Sequence, residues 1–366
     1  MSDVLRVAMT FEQCWHRVPG GTAVAALGMA RALLKRDDVD VVGAAARHRS
    51  APAREWLPPV PVRHLRLPRP ALYESWHRLR RPALESATGR VDIVHATSIA
   101  MPPRSAPIVL TIHDLAFLAR PDNFTRRGLR FFRRGLALAL READLVLCSS
   151  RATQRDCEAA GFERDRLRLV PLGVDAEVAD PDSIRRVRDR YNLDRAYILW
   201  IGTIEPRKNL RGLMRALALV DGDVDLVIAG PRGWHEDLDA LAGGAGRPVR
   251  RLGFVPREDL GALYAGARVF CWPTLMEGFG FPVLEAMTQG APVVTSRGTS
   301  TEELAEGAGV LVDPHDPADI AAGINSVLAD DSLAASLAAA GRARAAQYTW
   351  DRCAGLVADA YREVAA

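Results

Sequence analysis

The chain has 366 residues, 48% of them hydrophobic and 25% charged, and a formal net charge of +3. That length leaves room for two cores of ordinary size, and the composition is that of a globular protein, not a disordered or fibrous one. A charge excess this small gives no reason to expect a nucleic-acid partner, and no apolar run approaches the roughly 18 residues that span a bilayer.

The N-terminus, "MSDVLRVAMTF", runs straight into a strand-like segment and lacks the long apolar core of a signal peptide. Five cysteines (Cys14, Cys148, Cys157, Cys271 and Cys353), odd in number and without C-x-x-C spacing, suit a reducing cytoplasm. They offer neither a metal site nor a disulfide framework, so a cytoplasmic protein is expected. After the first apolar run comes "RVPGGTAVAALGMARALL", where Gly20 and Gly21 would let a ligand approach the start of a helix. The motif is not G-x-G-x-x-G, and no acidic residue ends the next strand, which speaks against a dinucleotide.

Short β-branched runs then alternate with helical patterns. The first half holds them at 5–11, 39–45, 91–97, 107–114, 144–150 and 167–173. Between the fourth and fifth of these lies "TRRGLRFFRRGLALAL" (125–140), basic and aromatic, a candidate for contact with an anionic membrane. The polar stretch 174–196 follows "PLG" and marks a division. Six more runs stand at 197–203, 225–231, 249–255, 268–274, 292–297 and 309–314. Apolar strands separated by helices mean parallel sheets covered on both faces, and twelve are too many for one. Six and six make two Rossmann-like domains, with ligands at the carboxyl ends of their strands.

Two stretches of the second half carry chemistry. "GTIEPRKNL" (202–210) places Arg207 beside Lys208, one of two lysines in the chain, at the top of a strand and before a helix. A basic pair there suits an anion. "VDGDVD" (220–225) contains D-x-D, but it precedes a strand instead of following one and reads as a solvated turn. In "PTLMEGFGFPVLEAMTQG" (273–290), Glu277 ends a loop, Gly278–Gly280 turns tightly, and Pro282 suits the start of a helix with Glu285 in its first turn. The two carboxylates are separated by that turn and should reach different parts of one ligand.

This last segment resembles the Glu-x7-Glu motif of family-4 retaining glycosyltransferases, and "TIHDLAFLARP", "VPLGVD", "GTIEPRKNL", "AGPRGW", "GFVPREDLGALYAGARVF" and "YTWD" extend the likeness over nearly the whole chain. The run from "GTIEPRKNL" to "GPRGW" is most similar to the bacterial mannosyltransferase-like branch that builds surface polysaccharide. The resemblance implies the GT-B fold, two facing Rossmann-like domains with an interdomain cleft. It implies an acceptor domain over 1–175, a nucleotide-sugar donor domain over 176–349, and a C-terminal helix (350–366) crossing back to the first. It also implies transfer of a hexose from a nucleotide sugar, with GDP-mannose as the first choice, to a glycan or lipid-linked cell-envelope acceptor.

By the same resemblance Arg207 and Lys208 grip the donor diphosphate in place of a metal, with the backbone amides of Val283 and Leu284 beside them. Glu285 takes the ribose hydroxyls. Glu277, assisted by amides around Phe279 and Gly280, holds the transferred sugar. The base rests against Gly253, Phe254 and Val255, and His113 stands near the sugar. No cofactor beyond the nucleotide-sugar co-substrate is implied. The sequence departs from the pattern at "GTSTEEL" (298–304), where Glu302 replaces a proline of the relatives. A GT-B epimerase or a catalytically idle nucleotide-sugar-binding subunit are the alternatives; a phosphorylase fits poorly, with only Lys35 and Lys208 to carry pyridoxal phosphate.

Overall fold

The computed structural model describes residues 4–231 and 247–366; of the "GPRGW" stretch, Arg232 to Trp234 lie outside the described residues. Two compact units divide the chain, Met1–Gly173 with Thr349–Ala366, and Val174–Tyr348.

The first unit is built on a seven-stranded parallel sheet in the order β3-β2-β1-β4-β5-β6-β7. Its strands are β1 (Leu5–Thr10), β2 (Val39–Ala45), β3 (Val62–His64), β4 (Ile93–Ala96), β5 (Ile108–Ile112), β6 (Leu145–Cys148) and β7 (Leu167–Leu169). Val7 pairs with Val41 on one side and Ile93 on the other, which sets the register at the centre of the sheet. All of β4, β5 and β6 is buried, as strands covered on both faces should be. Six of the seven strands lie in the apolar runs of the sequence; β3, "VRH", is an edge strand of three residues, half exposed and charged, and so has no apolar signature.

The second unit has a six-stranded parallel sheet in the order β10-β9-β8-β11-β12-β13. These are β8 (Tyr197–Ile201), β9 (Asp225–Ala229), β10 (Val249–Gly253), β11 (Val269–Trp272), β12 (Val293–Ser296) and β13 (Val310–Val312). Leu199 on β8 pairs with Val227, and β8 also pairs with β11 through Leu199 and Phe270. The indoles of Trp200 and Trp272 lie buried with centroids 5.1 Å apart under the site described below.

Helix starts follow their capping chemistry. Thr125, Ser150, Asp180 and Asp330 each accept a backbone N–H of the following helix on a side-chain oxygen. The last helix, Trp350–Ala365, belongs to the first unit. Tyr361 on it reaches His95 of β4, its hydroxyl 2.6 Å from Nδ1, and the other ring nitrogen of His95 lies 2.8 Å from Thr111 Oγ1. Its start passes so close to Gly173 that a Cβ there would lie 2.3 Å from the Trp350 nitrogen, so no larger residue fits without moving backbone. At the two ends of the second unit, Val174 N donates to Tyr348 O at 2.9 Å. Among the described residues no helix is long and apolar enough to cross a membrane.

Candidate active site

In the second unit the chain leaves β8 through Gly202–Glu205 and makes a single 3-10 turn, Pro206–Lys208, before the helix Leu210–Ala216. Asn209 joins the two in a left-handed conformation (φ 55°), one of the few non-glycine types that adopts it readily. Its side chain serves three loops at once. Nδ2 donates to the carbonyls of Pro273 (2.9 Å) and Pro314 (2.7 Å), and Oδ1 accepts Gly212 N at 3.1 Å. The basic pair therefore lies beside a helix start that Asn209 already caps. The Arg207 carbonyl accepts Leu275 N (2.7 Å) and Thr274 Oγ1 (3.0 Å), which stitches the turn to the loop after β11.

That stitching brings Glu277 to Arg207. The guanidinium lies between two carboxylates, Nε 3.0 Å from Glu205 Oε2 and Nη1 3.2 Å from Glu277 Oε1, and also donates to Met276 O at 3.3 Å. Lys208 Nζ is 3.9 Å from Glu205 Oε1 and 5.6 Å from the centre of the Trp272 ring. All four side chains are mostly buried, Lys208 the most at 12% exposure. Burial lowers the Lys208 pKa, the nearby Glu205 carboxylate opposes that, and Arg207 adds to it. Two cations and two carboxylates thus neutralise one another. Glu205 is the residue that sequence reasoning passed over: an acid two positions before an arginine looks like any charged loop.

Glu277 is fixed from behind, its carbonyl accepting Ser300 Oγ at 2.7 Å. The turn that follows needs glycine at 280, where φ is 109° and a Cβ would lie 2.8 Å from Thr301 Cγ2. Phe279 is buried, edge-on to Phe281 with centroids 5.2 Å apart. The helix then runs Phe281–Gln289, one residue ahead of Pro282, and this moves Glu285 into its second turn instead of its first. There Glu285 Oε2 accepts the Tyr264 hydroxyl at 2.8 Å, and burial raises the Glu285 pKa against that bond. The amides of Val283 and Leu284, expected to face a phosphate, instead donate to the Gly280 carbonyl at 3.0 and 3.4 Å. The first turn of the helix spends them on itself.

On the far side of the sheet, Gly253 closes β10 with φ 69° and accepts Gly230 N at 2.7 Å, Phe254 stands 71% exposed, and Val255 is buried. The D-x-D aspartates lie at the opposite, N-terminal end of β9. Asp223 and Asp225 both pair with Arg195, and Asp225, buried where a solvated turn was expected, also pairs with Arg250 at 2.9 Å.

Two family models match the chain, "Glycosyltransferase Family 4" over residues 19–178 and "Glycosyl transferases group 1" over residues 183–344. A curated relative, the O-antigen chain mannosyltransferase B of Escherichia coli, is 35% identical over 80% of this chain and 80% of its own. The chain belongs to glycosyltransferase family 4. A second curated relative, the GDP-mannose-dependent alpha-(1-6)-phosphatidylinositol monomannoside mannosyltransferase of Mycolicibacterium smegmatis, is 34% identical over 55% of this chain and 57% of its own. Among solved structures, Anabaena Alr3699/HepE in complex with UDP and glucose superposes with a TM-score of 0.77 at 21% identity, covering 98% of this chain and 100% of that one. The fold is GT-B, and the family-4 membership makes the protein a hexosyltransferase.

The remaining family-4 candidates lie in the first unit. His113 follows β5, where its Nε2 donates to Thr97 O at 3.3 Å and its carbonyl accepts Thr153 Oγ1 at 3.1 Å. Burial lowers its pKa, so the ring is neutral with Nδ1 as its acceptor. Gly20 and Gly21 are exposed and open the helix Gly20–Leu33, Gly20 with φ 64°. The structure therefore gathers Arg207, Lys208 and Glu277 into one cluster, sets Glu285 and the 253–255 loop on their own supports in the same unit, and carries His113, Gly20 and Gly21 on the other.

Proposed function

We propose that this family-4 enzyme transfers a hexose, with retention of configuration and without a metal ion, from a nucleotide sugar to a hydroxyl of a glycan or lipid-linked acceptor of the cell envelope. Mannose from GDP-mannose is the first choice: both relatives are named as mannosyltransferases, and the second as GDP-mannose-dependent. The observation that carries the reading is the sheltered Arg207–Lys208 pair, preorganised by Glu205 and Glu277 at the end of β8. As the bond from the sugar C1 to the diphosphate oxygen breaks, charge grows on the diphosphate, and cations already fixed in place stabilise it without reorganising. The arriving diphosphate takes over Arg207 from the two carboxylates. That releases Glu277 for the sugar hydroxyls, while Glu285, oriented by Tyr264, faces the ribose and Phe254 the base. The acceptor oxygen bonds to C1 on the face the diphosphate leaves, its proton passes to a diphosphate oxygen, and the nucleoside diphosphate departs. His113 contributes a neutral ring near the sugar.

On this reading the protein works in the cytoplasm, at the inner face of the membrane. The exposed Arg126, Arg127, Arg130 and Arg133 of the helix Arg126–Glu142 meet anionic lipid there.

A thermal-shift series with GDP, UDP and NAD, each with and without EDTA, tests the proposal. A nucleoside diphosphate at 100 times its dissociation constant should stabilise the protein by about 2.7 kcal/mol, undiminished by the chelator. Loss of the shift in EDTA would overturn the metal-free clamp. A response to NAD alone would overturn the donor reading, and GDP binding without any transfer from GDP-mannose or UDP-glucose would favour an idle subunit.

A further inference from the structure

The loop that leaves β10 carries an aromatic ring and a cation that the packing of the second unit does not account for. Phe254 is 71% exposed, more than any other large hydrophobic side chain among the described residues. Gly253, left-handed before it, and Val255, buried after it, fix the backbone on either side, so the ring is held out on a short, anchored loop. Three residues beyond Phe254, Arg257 opens the helix Arg257–Ala265. A cation there works against the helix dipole, which Glu258 and Asp259 behind it suit. Its guanidinium donates to Asp175 Oδ2 at 2.6 Å, with both side chains about half exposed, and an ion pair so open to water adds little to stability. Neither the helix nor the ion pair explains why this residue is an arginine.

Both members of the pair stand close enough to Glu285 to act on its carboxyl, Arg257 lowering its pKa and Asp175 raising it. The pair therefore lies by the carboxylate proposed for the ribose, and in sequence it adjoins the ring proposed for the base. An aromatic face accepts every nucleobase alike, because each has a π-face, so Phe254 supplies affinity and no choice. Choice needs hydrogen bonds to the edge of the base. Asp259 is committed elsewhere, to Arg190 at 3.0 Å and the Tyr191 hydroxyl at 2.8 Å. Arg257 gives one N–H to Asp175, and that anchor sets the direction of its others.

A guanidinium held in this way presents paired N–H groups, and the base that answers them with two adjacent acceptors, O6 and N7, is guanine. Uracil has no such pair, and adenine has a donor where guanine has O6. We propose that Arg257, positioned by Asp175, selects guanine as the base of the sugar donor. The assignment rests on the reading of the second unit as a nucleotide-sugar site, and adds which base it takes and by what contact.

Calorimetry with GDP, IDP, UDP and ADP on the full chain tests it. Hypoxanthine keeps O6 and N7 but lacks the amino group of guanine. GDP and IDP should therefore bind alike, each about tenfold or more tighter than UDP or ADP. In Arg257→Met that margin should vanish while UDP affinity stays, and in Phe254→Ala all four should weaken together. A wild type that prefers UDP, IDP that binds no better than UDP, or a margin that survives Arg257→Met would overturn the assignment and leave the donor site standing. If the wild type binds none of the four, the donor reading itself falls, and the assignment with it.

Discussion

Lys208 keeps its ammonium group over the Trp272 ring with Glu205 at 3.9 Å, and burial lowers its pKa from the ordinary 10.5. A diphosphate pressed against it would restore the charge. The free enzyme should therefore lose kcat/KM for the donor as pH rises toward but still below 10.5, while kcat, read on the filled site, holds to higher pH. A kcat/KM flat up to that value would mean that Lys208 does not carry the diphosphate. Glu277 poses a different question, because its Oε1 is engaged with Arg207. In Glu277→Ala transfer should fall by about 10²-fold or more as the sugar loses its partner. GDP affinity, measured by calorimetry, should be kept or improved, since a competitor for Arg207 has gone. Weakened GDP binding would make Glu277 a support for Arg207 and not a ligand of the sugar.

At the scale of elements, Asn209 joins the loops after β8, β11 and β13, so one side chain keeps the basic turn in register with Glu277. Asn209→Ala removes a cap, leaves two carbonyls without their donor and keeps a left-handed backbone. About 2–3 kcal/mol of stability should be lost in urea unfolding, together with donor affinity; a loss below about 0.5 kcal/mol would mean that the loops hold without it. The basic helix Arg126–Glu142 is a case where sequence suggested more than the structure gives. Phe131 stacks on His77 (4.5 Å) and Tyr73 (5.3 Å), and Phe132 on Phe117 (5.3 Å), so both aromatics pack into the unit, and apart from Ala137 the exposed residues of the helix are arginines. Lipid binding should then be electrostatic. Reversing Arg126, Arg127 and Arg130 to Glu should abolish sedimentation with phosphatidylserine vesicles, as should raising the salt, whereas binding that survives both would point to another surface.

The same elements show what was legible. Parallel strands buried on both faces read as apolar runs, and twelve of the thirteen strands among the described residues fall in segments picked out in the sequence, the half-exposed edge β10 among them; β3 could not be seen, being a short charged edge. Arg207, Lys208 and Glu277 stood out in the sequence because their spacing fits a strand-turn-helix, and the structure brings them into one cluster. Glu205 and the Arg257–Asp175 pair did not. Their partners depend on which segments the fold sets side by side, and residues 175 and 257 have no spacing to betray them. The phase of the helix at Glu285 was missed by one residue because Phe281, ahead of the proline, is already helical.

Across the molecule, buried histidines set the response to acid. His95 is held neutral between Tyr361 and Thr111 with its pKa lowered to about 3, and His77, stacked on Phe131, is lowered to about 4, burial leading in both. The ordinary value is 6.5, so below that pH the unfolded chain takes protons that the folded one refuses. Stability present above pH 6.5 should be lost as the pH falls toward 4, by up to about 1.4 kcal/mol per unit for each histidine. Urea midpoints that stay level from pH 7 to 4.5 would mean that both rings accept protons in place.

Gly173 is pressed against Trp350, and Val174 is hydrogen-bonded to Tyr348. The strand of chain that leaves the first unit and the strand that returns to it thus run side by side. In genetic terms the second unit is a cassette: its two ends meet, so it can be cut out, closed by a short linker, or exchanged for that of a relative without re-threading its host. The first unit, for its part, sees the same pair of adjoining ends whatever is spliced between them. The two junctions, 173/174 and 348/349, lie far apart in sequence and side by side in the fold, which is the arrangement that lets one unit be inherited as an insertion in the other.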